Sequence, residues 1–254
     1  MMGTMEDHTG DEVLLAPAKL TMSLRVVGVR PDGYHLIDAE MVSLDLCDEL
    51  LLCAGDDLAA VDAASGAPVD LGSIEDNLIT RAMRLVERRR SVRVTKRIPA
   101  GAGLGGGSAD AAAVLRWAGC TDLVAAAALG ADVPFCMVGG RARVTGIGEV
   151  IEPLPFVEQV LTLWTPPLAC STPAVYRAWD ELGGPHGDHG NDLEPAALMV
   201  EPALAKWRDE LAAISGQRPR LAGSGSTWFV EGSHPGDGRV VVRTTPQGWD
   251  RRVA

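Results

Sequence analysis

The feature that most constrains the fold of this chain is a dense run of glycines between a strand-like segment and an alanine-rich one. The run reads PAGAGLGGGSAD over residues 99–110 and holds five glycines in the seven positions 101–107. The preceding SVRVTKRI predicts a strand, and the following AAAVLRWA predicts a helix. Backbone N–H groups can approach an anion closely where no Cβ intervenes, and the amino end of a helix attracts negative charge. The segment therefore predicts a phosphate-binding loop rather than a flexible linker.

This loop matches neither of the two most familiar phosphate-binding motifs. It lacks the GxxxxGK[ST] pattern of the P-loop, because no lysine follows the glycines. It also lacks the acidic residue at the end of a second parallel strand that dinucleotide-binding folds require. Ser108, at the predicted start of the helix, can donate to a phosphate oxygen, lie near a phosphate-bound Mg²⁺, or act as a plain helix cap.

Three further segments hold side chains suited to chemistry. Lys19 lies in an apolar, strand-like stretch and is one of only three lysines beside 20 arginines. Such a lysine either has an anionic partner or is an edge residue whose ammonium reaches solvent. Asp132, in GADVPF, is a candidate base or a helix cap. Tyr34 and His35, in DGYH, belong to a predicted turn and indicate no function by themselves.

Composition narrows the class of protein. The chain has 254 residues, is 46% hydrophobic and carries a net charge of −11, which is typical of one large domain or two modest ones. The acidic balance argues against a nucleic-acid partner bound through a broad basic surface. With no signal-peptide pattern and no apolar run of membrane-spanning length, we expect a cytoplasmic protein without a membrane partner. The cysteines match no metal or disulfide spacing and are expected to be buried free thiols: Cys47, Cys53, Cys120, Cys136 and Cys170.

The predicted elements mix strands and helices without regular βαβ alternation, which favours an α+β fold of two layers. An extended stretch covers residues 13–29 with a break near Pro17, and Asp76 is the predicted cap of a helix that ends near Arg90. Further helices are predicted over residues 109–118 and 122–129. Residues 1–11 are predicted to be a disordered head. The sequence pattern changes near the prolines at 153 and 155, which predicts a boundary between an N-terminal domain at 12–154 and a C-terminal domain at 155–254.

In this order, the segments resemble the GHMP kinase superfamily. The matching stretches include APAKLTMSL, KRIPAGAGLGGGSADAAAVL and LAGSGST, and they extend over residues 15–227. DGYH, GADVPF and NDLEPA are similar, more narrowly, to the kinases that phosphorylate the 2-hydroxyl of 4-diphosphocytidyl-2-C-methyl-D-erythritol in non-mevalonate isoprenoid precursor synthesis. The resemblance implies the two-domain GHMP kinase fold, with an N-terminal domain like ribosomal protein S5 domain 2 and a C-terminal α/β sandwich.

The resemblance also implies roles for individual residues. Lys19 and Asp132 would be catalytic, with Asp132 as the base on the substrate hydroxyl. The substrate would contact Thr21, Asp132 and a cytosine-binding group of Tyr34, His35 and Tyr176. A third-motif turn near the phosphates would comprise Gly223, Ser224 and Gly225. Mg²⁺ would arrive bound to ATP, without a metal site built by the protein. ATP itself would contact Asn77, Leu78, Pro99, Gly101, Gly103, Leu104, Gly105, Gly106, Gly107 and Ser108.

Three departures from the family pattern bear on substrate binding. Thr21 stands where the family usually has an asparagine that helps to bind the substrate. The stretch between Ser108 and Asp132 is compact, and the C-terminal domain is short. Two alternative functions stay open: a GHMP kinase for another small alcohol, and a non-catalytic nucleotide-binding paralogue. The chain could be a monomer or a homodimer.

Two charged groups carry simpler interpretations. A basic cluster is expected to be a solvated helix face, and it comprises Arg81, Arg84, Arg88, Arg89, Arg90, Arg93, Lys96 and Arg97. His186 and His189 resemble a metal pair, but a loop with no further ligand disfavours one.

Overall fold

The computed structural model describes residues 10–246, which form ten strands and seven helices. The strands are β1 (Glu12–Val29), β2 (His35–Cys53), β3 (Leu58–Asp62), β4 (Ser91–Lys96), β5 (Arg141–Gly146), β6 (Val150–Pro153), β7 (Val160–Trp164), β8 (Arg220–Leu221), β9 (Trp228–Glu231) and β10 (Arg239–Thr245). The helices are α1 (Leu78–Leu85), α2 (Gly106–Trp117), α3 (Leu123–Leu129), α4 (Val133–Val138), α5 (Thr172–Glu181), α6 (Glu194–Val200) and α7 (Leu204–Ser215). Residues 1–9 of the predicted disordered head lie outside the described part.

The long strand β2 organises the sheet. It pairs antiparallel with β1, β4, β5 and β10 along different parts of its length. The strands β7, β9 and β8 continue the sheet beyond β10, whereas β6 pairs with β5. Among the described strands, only β3 and β4 pair in parallel. Strands and helices therefore mix without regular βαβ alternation, and the predicted α+β class is confirmed.

Helix α2 packs on the sheet through small side chains. Ala109 and residues 111–113, all alanines, are buried, as are Val114 and Leu115. Because alanine adds little bulk, the helix can lie close to β1 and to α1 and α4. This packing fixes the helix that follows the glycine-rich loop.

Three predicted helix boundaries differ from the structure. Helix α1 is capped by Asn77, not Asp76, because the extended backbone at Asn77 lets its side-chain oxygen accept from the Ile79 N–H at 2.9 Å. It ends at Leu85 rather than near Arg90, and Glu87 then adopts a left-handed backbone. Helix α2 begins at Gly106, three residues before the predicted start.

Other predictions for single elements are also settled. Pro17 does not interrupt β1; the strand continues through it, with a register shift between Pro17 and Lys19. The predicted helix at 122–129 is confirmed as α3, capped by Asp122. The six-residue helix α4, which starts at Val133 and has a proline in its first turn, was not predicted.

The basic cluster is not one solvated helix face, and that prediction was wrong. Only Arg81 and Arg84 lie on α1, and Arg81 donates to the carbonyl oxygens of Ala128 and Leu129 at the end of α3. Arg90 donates to the Cys53 carbonyl at 3.0 Å. Lys96 is held between two buried carboxylates. The charges are spread because the chain turns out of the helix after Leu85.

The cysteines are free thiols, as predicted. Only Cys136 and Cys170 are buried, so the prediction of burial was wrong for the other three, which are half-buried. Within residues 10–246, none of the helices combines the length and the apolar character needed to cross a bilayer.

Candidate active site

A cleft of about 980 Å³ runs along the glycine-rich loop that joins β4 to α2. Its lining comes from segments far apart in the sequence, including Lys19 of β1, Asp132 before α4, Tyr176 of α5 and Gly223 near β8. A cavity of this size is typical of ligand sites in proteins. Of the residues that the sequence singled out as site residues, all but Leu104 and Gly225 therefore border one cleft, although they are spread over about 200 residues of chain.

Lys19 reaches the cleft because β1 is an edge strand here. One side of β1 pairs with β2, and on the other side the Lys19 N–H donates to the Leu104 carbonyl of the glycine-rich loop at 3.0 Å. The residue is only 5% exposed, and its Nζ lies 3.2 Å from Asp132 Oδ2. The lysine thus has an anionic partner, and the interpretation as a solvent-reaching edge residue was wrong.

Asp132 occupies the cap position of α4, but its side chain makes no capping hydrogen bond. Its carboxylate is 32% exposed and faces the Lys19 ammonium. A carboxylate that caps a helix normally accepts from an N–H of the first turn. Since Asp132 does not, its oxygens are available to accept a proton from a hydroxyl in the cleft.

The glycine-rich loop packs so tightly that two of its glycines have no room for a side chain. A Cβ on Gly103 would lie 2.5 Å from the Ala222 carbonyl oxygen and 2.7 Å from that of Gly225. A Cβ on Gly105 would lie 2.7 Å from Lys19 Cγ. Both residues have a positive φ, which favours glycine. The loop is therefore wedged between β1 and the third-motif turn.

The third-motif turn, residues 223–225, is fixed by two neighbours. Thr227 donates its N–H to the Ala102 carbonyl at 3.3 Å, and Ser224 Oγ lies 2.8 Å from Thr172 Oγ1 at the start of α5. A Cβ on Gly223 would lie 3.7 Å from Lys19 Nζ. The predicted turn therefore borders both the loop and Lys19.

Most of the other predicted ATP contacts also lie along the cleft. Asn77, Leu78, Pro99 and Ser108 all line the cleft. The Asn77 side chain is already engaged, since it caps α1 and its Nδ2 lies 3.4 Å from the Leu71 carbonyl. Ser108 lies inside the first turn of α2, whose cap position is Gly105, so Ser108 is not the helix cap. Leu104 is buried and does not line the cleft. Its carbonyl oxygen accepts from the Lys19 N–H.

The predicted cytosine-binding side chains all line the cleft, and two of them pack on each other. His35 packs on Tyr176 with ring centroids 4.6 Å apart, whereas Tyr34 is 58% exposed. Burial, and secondarily the charge of Asp132, raises the pKa of Tyr176. Sequence reasoning missed Asp180, whose Oδ1 lies 2.8 Å from His35 Nε2. Because Asp180 and Tyr176 are one turn apart on α5, the helix could have suggested that they share a face.

Thr21 is buried beside the lysine. Its Oγ1 accepts from Lys19 Nζ at 3.2 Å, and the residue is 2% exposed. The hydroxyl therefore helps to fix the ammonium next to Asp132. This contact is a second function for a position that the sequence assigned only to the substrate.

Asn191 and Asp192 of the NDLEPA segment hold elements together. Asn191 donates its Nδ2 to the Gly223 carbonyl at 2.7 Å, next to the third-motif turn. The fully buried Asp192 accepts from Arg25 and from the N–H of Val26 on β1. Although burial alone would raise the pKa of Asp192, these donors and the Gly187 N–H keep it below its usual range. The segment thus joins the third-motif turn to the strand that carries Lys19.

A buried charged group lies under the loop, and the sequence analysis did not assign it. Asp48 of β2, Lys96 of β4 and Asp110 of α2 are linked by the Lys96 ammonium, which donates to both carboxylates. Burial raises the pKa of Asp110 to about 7, with Lys96 opposing and Asp48 adding to the rise. Burial opposes the charge of Lys96, but its two carboxylate partners outweigh this and raise its pKa.

Asp110 should make folding stability fall as the pH rises. Its pKa is near 3.8 without the fold and about 7 within it, so between these values the native state holds a proton that the unfolded state has lost. The stabilisation is present at low pH and disappears through this window. We expect the free energy of unfolding to fall from pH 5 to pH 8 by about 2 kcal/mol more in the native chain than in Asp110→Asn.

Urea unfolding at a series of pH values checks this expectation. Parallel stability curves for the native chain and Asp110→Asn would show that Asp110 does not take up the proton.

No group of three or more His, Cys, Asp or Glu side chains suited to a metal occurs within the described residues. His186 Nδ1 lies 3.3 Å from Asp192 Oδ2.

Comparison with known proteins gives a consistent result. Residues 77–140 match the model of the GHMP kinases N-terminal domain. The chain is 36% identical over 256 residues to 4-diphosphocytidyl-2-C-methyl-D-erythritol kinase of Paracoccus denitrificans, covering 92% of this chain and 93% of that one. It is 35% identical over 270 residues to the enzyme of the same name from Ruegeria pomeroyi, covering 92% and 95%. A crystal structure of 4-(cytidine 5'-diphospho)-2C-methyl-D-erythritol kinase superposes with a TM-score of 0.70 at 27% identity, covering 93% of this chain and 99% of that one.

Proposed function

The chain belongs to the 4-diphosphocytidyl-2-C-methyl-D-erythritol kinase family of GHMP kinases, and on that premise we propose that it transfers a phosphoryl group from ATP to the 2-hydroxyl of this cytidyl alcohol. The observation that carries the proposal is the 3.2 Å contact between Lys19 Nζ and Asp132 Oδ2 in the cleft beside the glycine-rich loop. A protein that only bound nucleotides would have no use for this pair.

Asp132 and Lys19 have separate roles in the proposed reaction. The Asp132 carboxylate accepts the proton of the attacking hydroxyl, which makes its oxygen a better nucleophile. The Lys19 ammonium, 3.2 Å from that carboxylate, stabilises the negative charge that develops on the attacking oxygen. Phosphoryl transfer depends mainly on alignment and charge neutralisation, and these two fixed groups contribute both at the attacking hydroxyl.

The glycine-rich loop and the third-motif turn supply the nucleotide side of the reaction. Backbone N–H groups of the loop and the amino end of α2 bind the phosphates, and Ser108 can donate its hydroxyl to a phosphate oxygen. Gly103 and Gly105 support this role of the loop. A side chain at either position would clash with neighbouring atoms, so the loop presents backbone there rather than side chains. Bound ATP supplies the phosphoryl group, and Mg²⁺ held by its phosphates supplies positive charge.

A different part of the cleft would bind the cytosine. Tyr34, His35 and Tyr176 present aromatic rings to the same space, and aromatic rings bind flat bases by stacking. Asp180 restrains His35 through the 2.8 Å contact. The arrangement suits a nucleobase better than it suits an aliphatic alcohol, which supports the cytidyl substrate over another small alcohol.

Tyr34→Ala should weaken substrate binding selectively. Since stacking on an aromatic side chain contributes about 1–3 kcal/mol per base, we expect KM for the cytidyl alcohol to rise about tenfold or more. KM for ATP should stay within about twofold, because Tyr34 is not among the predicted ATP contacts. Tyr34→Phe, which keeps the ring, is the matched control. An unchanged KM for the alcohol in Tyr34→Ala would remove the stacking role.

Release of ADP tests the proposed function. The purified chain with Mg-ATP is assayed alone, with 4-diphosphocytidyl-2-C-methyl-D-erythritol, and with homoserine or mevalonate. Strong stimulation by the cytidyl alcohol alone supports the proposal. Stimulation by another alcohol instead would give a different GHMP kinase, and ATP binding without any stimulation would give a non-catalytic paralogue.

We propose a cytoplasmic protein that acts as a monomer or a homodimer on a small-molecule substrate, with neither nucleic acid nor membrane as a partner. Sedimentation equilibrium distinguishes the two assemblies.

A further inference from the structure

The two ends of the glycine-rich loop are joined by buried charges. At the entry, Asp48 Oδ1 accepts from the N–H groups of Arg97 and Ile98, at 2.6 and 2.8 Å. These are the last two residues before Pro99, where the loop begins. Asp48 is fully buried, and a buried carboxylate that accepts several N–H bonds holds them in one geometry. The entry is thereby fixed to β2, the central strand of the sheet.

At the exit, the same charges reach the first turns of α2. Lys96 Nζ donates to Asp48 Oδ2 and, at 2.8 Å, to Asp110 Oδ2. Asp110 lies four residues after Gly106, so both are on one face of the helix. A Cβ on Gly106 would be 3.3 Å from Lys96 Nζ, which places the ammonium directly against the start of α2.

The two carboxylates of this group, Asp48 and Asp110, are not placed to react. Lys96 and Asp110 border the cleft, but Asp110 is 3% exposed and its Oδ1 is buried without a hydrogen-bond partner. Neither carboxylate is part of the Lys19–Asp132 pair. Buried ion pairs of this kind contribute little net stability compared with apolar packing, and they often specify one arrangement of the chain.

We propose that Asp48, Lys96 and Asp110 form a loop clamp that holds the entry and exit of the glycine-rich loop at a fixed spacing and so positions its N–H groups for the phosphates of the nucleotide. They are positioning residues rather than catalytic ones. This inference rests on the proposed use of the loop for ATP, and it is independent of which alcohol accepts the phosphoryl group.

The clamp is tested by nucleotide affinity in variants of its exit side. Calorimetry with a non-hydrolysable ATP analogue and Mg²⁺ measures Kd without any alcohol present. Because a small displacement of a binding group has large effects, Asp110→Ala should weaken Kd and raise KM for ATP about tenfold. KM for the alcohol should change by less than about twofold. Asp110→Asn, which still accepts from Lys96, should restore Kd to within about threefold of the native value.

A matched control lies on the same strand as Asp48. Glu40 Oε1 of β2 pairs with Arg141 Nε at 2.8 Å, away from the loop. Glu40→Gln removes a carboxylate–cation pair that is partly exposed rather than buried, and it should leave the nucleotide Kd unchanged. If Asp110→Ala does not fold, the double variant Lys96→Met/Asp110→Ala provides the second test, since it removes the lysine together with one of its buried carboxylates; it should show the same loss of affinity.

Each result decides between the two hypotheses. A native chain that fails to bind the analogue would contradict the proposed use of the loop for ATP. A native chain that binds, with folded Asp110→Ala and double variants of unchanged Kd, would overturn the clamp alone. If these variants raise KM for ATP and for the alcohol equally, the clamp is also overturned. Such a result would mean that the whole cleft has loosened and that the nucleotide side is not affected selectively.

Discussion

Asp132→Asn should abolish turnover while leaving nucleotide binding intact. Asparagine has nearly the same shape as aspartate but cannot accept the hydroxyl proton, and it leaves the Lys19 ammonium without the anion now 3.2 Å away. General-base catalysis contributes about 10²–10⁴-fold to a rate, so we expect kcat to fall about 10³-fold. Kd for ATP, measured by calorimetry, should change by less than about twofold, because Asp132 lies outside the glycine-rich loop.

Asp122→Asn is the matched control for this variant. Asp122 caps the neighbouring helix α3 by accepting from the N–H groups of Val124 and Ala125, and asparagine caps as well as aspartate does. The control should keep native kcat. Should Asp132→Asn lose ATP binding and turnover to the same extent, Asp132 would be a structural residue and not the base.

Gly103→Ala should have the largest effect on the loop. The new Cβ would lie 2.5 Å from the Ala222 carbonyl oxygen and 2.7 Å from that of Gly225, and neither backbone atom can rotate away. The residue also has φ +76°, where alanine is strained. We expect a loss of about 3 kcal/mol in the free energy of unfolding and a rise of about tenfold or more in Kd for ATP.

Gly101→Ala separates backbone strain from the clash. Gly101 has a similar φ of +69°, but the nearest atom to its Cβ would be Ala169 Cβ at 3.9 Å. It should therefore lose only about 1 kcal/mol, the cost of the left-handed backbone. Urea unfolding of both variants measures the difference. Equal losses would mean that the loop does not depend on close packing against the third-motif turn.

Local sequence patterns were sufficient for part of the fold. A strand followed by dense glycines and an alanine-rich helix predicted β4, the loop and α2. Even so, the helix begins earlier than predicted, because Gly105 at the cap position allows Gly106 to start the first turn. Asp76 and Asn77 are both good cap residues, and only the backbone shows that Asn77 is the one used. Helix α4 is too short to produce a helical periodicity.

The Lys19–Asp132 pair could be predicted from the sequence, whereas the buried charged group under the loop could not. Lys19 and Asp132 were predicted because each lies in a motif shared with a known superfamily. Asp48, Lys96 and Asp110 come from three elements, and nothing local predicts that they meet. One signal was available: Asp110 is the one acidic residue in a helix whose neighbouring positions are alanines. A carboxylate on such an apolar face implies a buried cation as its partner.

The central claim is that this cleft transfers the γ-phosphoryl group of ATP to the cytidyl alcohol, and the most direct test follows that group. The purified chain is incubated with Mg²⁺, ATP labelled in the γ-phosphate and 4-diphosphocytidyl-2-C-methyl-D-erythritol, and the products are separated and examined by phosphorus NMR. We predict that the label appears in one new phosphomonoester on the 2-hydroxyl and that Asp132→Asn forms almost none of it. Label that stays in ATP, or that appears only as inorganic phosphate, would contradict the claim.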